Sequence, residues 1–84
     1  MNTPTVTYTP AAAAATGSRS YIFTLTAPKV DNVQTRLGYA ETFTGTLSEV
    51  VETVARFTGD PLYAGAEIVD ETAGDYFTVA TVAL

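Results

Sequence analysis

The chain has no cysteine, no histidine and no tryptophan. Without cysteine, neither a disulfide nor a thiolate metal site can brace the fold. Without histidine, the one side chain that titrates unperturbed near neutrality is missing, and most activated nucleophiles go with these two residues. Only four residues are basic, against nine carboxylates, so neutralisation of nucleic-acid phosphates would be small and opposed. No apolar stretch approaches the roughly 20 residues of a membrane span. Met1-Asn2-Thr3-Pro4 lacks the basic and apolar regions of a signal peptide, and the alanines at 11–15 are too few and too weakly apolar to substitute. The glycines at 17, 38, 45, 59, 65 and 74 never assemble into a phosphate-cradling motif. The expectation is a cytoplasmic protein that binds neither membrane nor nucleic acid directly.

What is present suffices for one small domain. A chain of 84 residues supports a single core, and at this size only about 60% of the unfolded surface is buried. The net charge is −5 and unevenly placed. Residues 1–40 carry Arg19, Lys29 and Arg36 against Asp31 alone, whereas residues 41–84 carry eight carboxylates against Arg56. Such a field draws in basic protein surfaces or cations.

Residues 1–20 read as an N-terminal arm, with Thr/Pro alternation, a run of alanines and the breaker Thr16-Gly17-Ser18. Its β-branched residues 5–9 suit an edge strand, and Pro10 with Gly17 frames a short alanine helix. A solvated linker is the alternative, because so short a helix is marginal unless docked.

Residues 21–84 form the domain proper. In the stretch 20–27, Tyr21, Phe23 and Leu25 alternate with Ile22, Thr24 and Thr26, the period of a strand with one apolar face. Pro28 ends it, 29–32 is a turn, and 34–44 resumes as a second strand with Leu37, Tyr39 and Phe43 on one side and a bulge at Gly38. Thr46-Leu47-Ser48-Glu49 fits a capping box. The helix it opens runs from Leu47 to about Thr58, with Leu47, Val50, Val51, Val54 and Phe57 in one stripe and Glu52 paired to Arg56. Gly59-Asp60-Pro61 stops it. Strands at 64–70 and 76–83 flank the hairpin Glu71-Thr72-Ala73-Gly74-Asp75. The fold class is therefore α+β: a small curved antiparallel sheet of four or five strands with one helix on one face, in the order β-β-α-β-β after the arm.

Catalysis would have to use carboxylates, and Glu41, Glu67, Asp70, Glu71 and Asp75 read instead as a solvated strand rim and hairpin. Asp70, Glu71 and Asp75 come close enough to invite a hard cation, yet they lack the alternating acidic positions and closing glutamate of a calcium loop, so no metal and no cofactor is expected. The aromatics Tyr8, Tyr21, Phe23 and Tyr39 read as core residues rather than as a base-stacking platform. What remains is recognition.

The expected function is a non-enzymatic, protein-binding module, with Glu49, Glu52, Glu67, Asp70, Glu71 and Asp75 meeting a basic partner surface. Those carboxylates would occupy a groove built for nucleic acid, as a DNA mimic does, or an edge strand would extend a partner's sheet. By size and charge alone the chain falls in the class of phage or mobile-element accessory proteins, anti-CRISPR inhibitors of host defence nucleases among them. That is a likeness of class and transfers no residue. The alternative expectation is a virion or assembly subunit whose N-terminal arm laces onto a neighbour, giving a homo-oligomer.

Overall fold

The computed structural model of the chain describes residues 3–34, 38–72 and 74–84. Seven strands and one α-helix appear in it: β1 Thr5–Tyr8, β2 Arg19–Thr26, β3 Lys29–Val30, β4 Val33–Gln34, β5 Tyr39–Gly45, α1 Leu47–Ala55, β6 Gly65–Asp70 and β7 Phe77–Ala83. Five of the strands make one open antiparallel sheet in the order β1-β7-β6-β2-β5, and β3 pairs only with β4. The architecture is the expected α+β one, with a single helix packed on the sheet. No helix among the described residues is long and apolar enough to cross a membrane.

Strand β2 shows why the sheet has one wet and one dry face. Tyr21, Phe23 and Leu25 alternate inward and are at most 2% exposed, while Ser20, Ile22 and Thr24 between them point to the other side. The register carries that parity across the sheet: Phe23 stands opposite Ile68, and Ile68 opposite Ala80. On the open face Thr7, Thr81, Glu67 and Thr24 fall in one cross-strand row. At Ile68/Val69 the β6–β7 register shifts, so Val79 and Ala80 are both fully buried although they are adjacent in sequence. A bulge does this by setting two residues against one.

The helix begins where the sequence predicts. The Thr46 hydroxyl accepts from the Glu49 backbone N–H at 3.2 Å, and the Glu49 carboxylate accepts from the Thr46 N–H at 2.9 Å. Val50 and Val54 are fully buried against the sheet, with Leu47, Val51 and Phe57 packed beside them. It ends at Ala55, short of Thr58. Residues 56–58 turn more tightly, each backbone N–H reaching back three residues instead of four, and the Thr58 hydroxyl caps the Ala55 carbonyl. The expected Glu52–Arg56 pair does not form; among the described residues the ion pair is that of Arg19 with Asp70.

Two stretches depart from expectation in detail. The second strand is divided into β4 and β5, and Leu37 lies outside the described residues. Between β3 and β4, Asp31 and Asn32 both adopt left-handed backbone conformations, with φ of 53° and 64°. A two-residue turn of this kind matches the twist of its strands, and Asp and Asn tolerate it better than most residues. Pro10–Ala14 forms a 3₁₀ turn rather than an α-helix, and Ala15 behind it is buried in the core.

Gly38 marks no bulge in the β2–β5 ladder; it is a close approach. A Cβ placed there would sit 2.5 Å from the Leu25 carbonyl oxygen, a backbone atom that cannot swing away. Gly38→Ala is therefore expected to destabilise the fold by about 2–3 kcal/mol, as overpacking against fixed atoms does. Thr46→Ala, which removes the cap, is expected to cost about 1 kcal/mol. Urea midpoints at unchanged slope measure both, and the reverse ranking would refute the close-contact account.

Candidate functional site

The end of the sheet where β2 begins, β6 ends and β7 begins holds a connected set of polar side-chain contacts. Arg19 and Ser20 open β2 there, and the backbone N–H of Glu71 donates to the Ser20 carbonyl at 3.0 Å. Arg19 Nε donates to Asp70 Oδ2 at 2.7 Å, and the Ser20 hydroxyl donates to Glu71 Oε1 at 2.7 Å. Thr72 ties the turn down: its N–H donates to Asp70 Oδ1, and its hydroxyl accepts from the Ser20 N–H, both at 2.9 Å.

Asp70 is thus no rim residue. It is 8% exposed, its side chain held between Arg19 and Thr72. Burial, the largest single influence, would push its carboxyl up; the Thr72 backbone and hydroxyl and the Arg19 guanidinium outweigh it and hold the carboxyl below the usual aspartate range. Tyr21, opposite Asp70 in the ladder, is fully buried, and its hydroxyl has no hydrogen-bond partner. Burial and then the Asp70 charge raise its pKa, against a smaller opposing effect of Arg19.

Beside this network lies a recess of about 330 Å³, lined by Ala11, Ala14, Arg19, Asp70, Asp75 and Phe77. The alanines of the 3₁₀ turn make one wall, held in place because Thr9 donates through its backbone to the Val79 carbonyl and through its hydroxyl to the Thr78 carbonyl. Phe77 is 58% exposed, and the adjacent Tyr76 is 62% exposed with φ at 53°. A bulky residue in the left-handed region is a true outlier and costs roughly 1–2 kcal/mol.

The six carboxylates expected to meet a partner are dispersed by the fold. Asp70, Glu71 and Asp75 gather at the hairpin end, but Asp70 is neutralised by Arg19, Glu71 is half-buried on Ser20, and Asp75 is exposed. Glu67 lies on the open threonine face, away from Asp70. Glu49 and Glu52 are exposed on α1, where Glu49 serves the capping box, and hydrogen bonds from the Thr46 backbone and hydroxyl lower its pKa. No single row resembling phosphate spacing joins them. Among the described residues no group of three or more carboxylates converges as a metal site.

Sequence reading missed Arg19, Ala11, Ala14 and Phe77 as site residues. In the sequence Arg19 falls in the arm, and nothing local marks an alanine run as the wall of a recess. The one available signal was Pro10 before small residues, which announces a turn able to dock closely.

No family model matches the sequence, and no curated protein or solved structure is significantly similar to it.

The Arg19–Asp70 pair sets an acid limb in stability. Folded Asp70 takes up its proton at lower pH than an unfolded aspartate, which titrates near about 4. The unfolded state therefore binds more protons below that point, and stability falls as pH drops through the folded value. Urea midpoints across roughly pH 5 to 2 should fall less steeply for Asp70→Asn than for the native chain. Arg19→Met, which leaves a buried carboxylate unpaired, is expected to cost about 2–3 kcal/mol at neutral pH, below the range for fully buried pairs because the Arg19 side chain is 25% exposed.

Proposed function

We propose that the chain is a non-enzymatic protein-binding module whose contact surface is the hairpin end, and that its partner presents a basic surface. The observation that carries this reading is Tyr76. Its ring is largely exposed and its backbone is held in a conformation that opposes folding, beside the exposed Phe77 and Asp75 at the mouth of the recess. Strain kept at an exposed aromatic is the pattern of a contact residue rather than of a packing residue. Aromatic anchors with a carboxylate beside them suit an interface in which an apolar centre meets a charged rim.

A basic partner follows from the charge. Net −5 with the acidity in residues 41–84 repels nucleic acid and favours a cationic protein surface. Grooves that bind nucleic acid are basic surfaces of this kind, so occupation of one would make the chain an inhibitor, as expected of a phage or mobile-element accessory protein. Contact here runs through the hairpin end, with Asp75 and Glu71 supplying charge, rather than through an array of all the carboxylates.

Retention of a lysate partner on the immobilised chain, compared across variants and salt, tests the reading. Asp75→Lys and Phe77→Ala should each lower retention at least tenfold, about 1.4 kcal/mol. Tyr76→Gly should do the same while leaving the fold at least as stable, because glycine adopts the left-handed conformation without steric cost. Glu67→Lys, on the other face of the sheet, should change retention little. Equal loss from Glu67→Lys and Asp75→Lys would show diffuse charge attraction and defeat the proposal.

A further inference from the structure

Among the described residues, the backbone of β5 is paired on one side only. In the order β1-β7-β6-β2-β5 it is the last strand, with seven residues whose pattern is largely exposed. An unpaired edge is a template for another strand, and proteins block such edges with brevity, prolines, lysines or bulges. The opposite edge is blocked in this way: β1 has four residues, flanked closely by Pro4 and Pro10. Strand β5, Tyr-Ala-Glu-Thr-Phe-Thr-Gly, has neither proline nor lysine, and its register against β2 is unbroken over its full length.

We infer that this edge pairs antiparallel with the same strand of a second copy, centred on Thr42. Symmetry limits the choice. Side chains on both copies can keep to their own faces only if a two-fold axis passes through the sheet and one residue stands opposite itself. Centring on Glu41 would set two carboxylates face to face, which opposes pairing. Centring on Phe43 leaves the Tyr39 end of the strand overhanging. Centring on Thr42 pairs all of β5, with Tyr39 opposite Gly45, Ala40 opposite Thr44 and Glu41 opposite Phe43. No like charges then meet, and the ring of Tyr39, 44% exposed in the single chain, comes to the end of the partner strand where the Phe43 ring already lies over Gly45. The strand's only charge, Glu41, already accepts a hydrogen bond from the Tyr39 hydroxyl at 2.8 Å, which softens its placement beside an aromatic. Two sheets of five strands would become one of ten, with both helices on the same side.

The absence of cysteine makes the test direct. At the axis, facing Cα atoms lie about 4.5–5.5 Å apart, within disulfide range. Two residues away, Thr44 and its counterpart are separated by about 13 Å along the strand and cannot be bridged. Under mild oxidation Thr42→Cys should form a disulfide dimer at least tenfold faster than Thr44→Cys, and mixed Ala40→Cys and Thr44→Cys chains should cross-link where neither does alone. Thr42→Lys should shift the unmodified chain's sedimentation equilibrium toward monomer, with an unchanged urea midpoint at low protein concentration confirming the fold. Equal cross-linking of Thr42→Cys and Thr44→Cys, or a native chain that stays monomeric at millimolar concentration, would overturn the inference.

Discussion

The sheet is wider than its helix can cover, and the rest of the molecule follows from that shortage. Five strands at about 4.8 Å spacing span roughly 19 Å, whereas a helix with its side chains is about 10–12 Å across. The nine residues of α1 lie against β2, β5 and β6 and leave β7 to another element. Pro10–Ala14 takes that place, and its small side chains let the backbone come close. A single proline and a run of alanines thus serve as a second cover. The recess opens beside that second cover, at the end of the sheet where the charged groups gather.

Much of the fold was legible because its main signals are local or periodic. The alternation of β2, the capping box before α1 and the glycine-bearing turn before β7 each follow from a few neighbouring residues. Helix α1 still ended early: a propensity argument cannot say at which residue the ladder tightens, and Gly59 with φ at 86° acts only after that tightening. The arm was harder. Whether residues 5–9 pair or stay solvated depends on the free edge of β7, a partner more than seventy positions away, and loop closure over such a distance leaves no trace in local sequence.

The candidate site was less legible for a related reason. Carboxylates are easy to count but their faces follow from register, and one residue of slip moves a side chain across the sheet. Glu67 and Asp70 share β6 and point to opposite faces, so a single acidic surface could not be assembled from composition. Asp70 also shows how charge can be absorbed. Its partner Arg19 lies fifty-one positions earlier, and together they close one end of the core while removing one unit of each sign from the exposed field. Tyr76 and Phe77 read as strand residues in the sequence, and only the backbone reveals that one of them is strained and both are displayed.

The two proposed contact surfaces are distinct, one at the hairpin end and one along the β5 edge, and respond to different physics. Between β7, which carries Phe77 at the recess, and the free edge of β5 stand β6 and β2. A basic partner at the hairpin end is drawn by charge, so salt weakens the contact as the Debye length shrinks from about 10 Å at 0.1 M to about 3 Å at 1 M. Pairing along β5 joins two bodies that each carry −5. Salt screens their mutual repulsion and leaves the backbone hydrogen bonds of the new ladder in place. The two associations therefore move in opposite directions with ionic strength. A two-fold dimer also displays two hairpin ends, so a partner with paired basic sites would be held by avidity well beyond the strength of one contact.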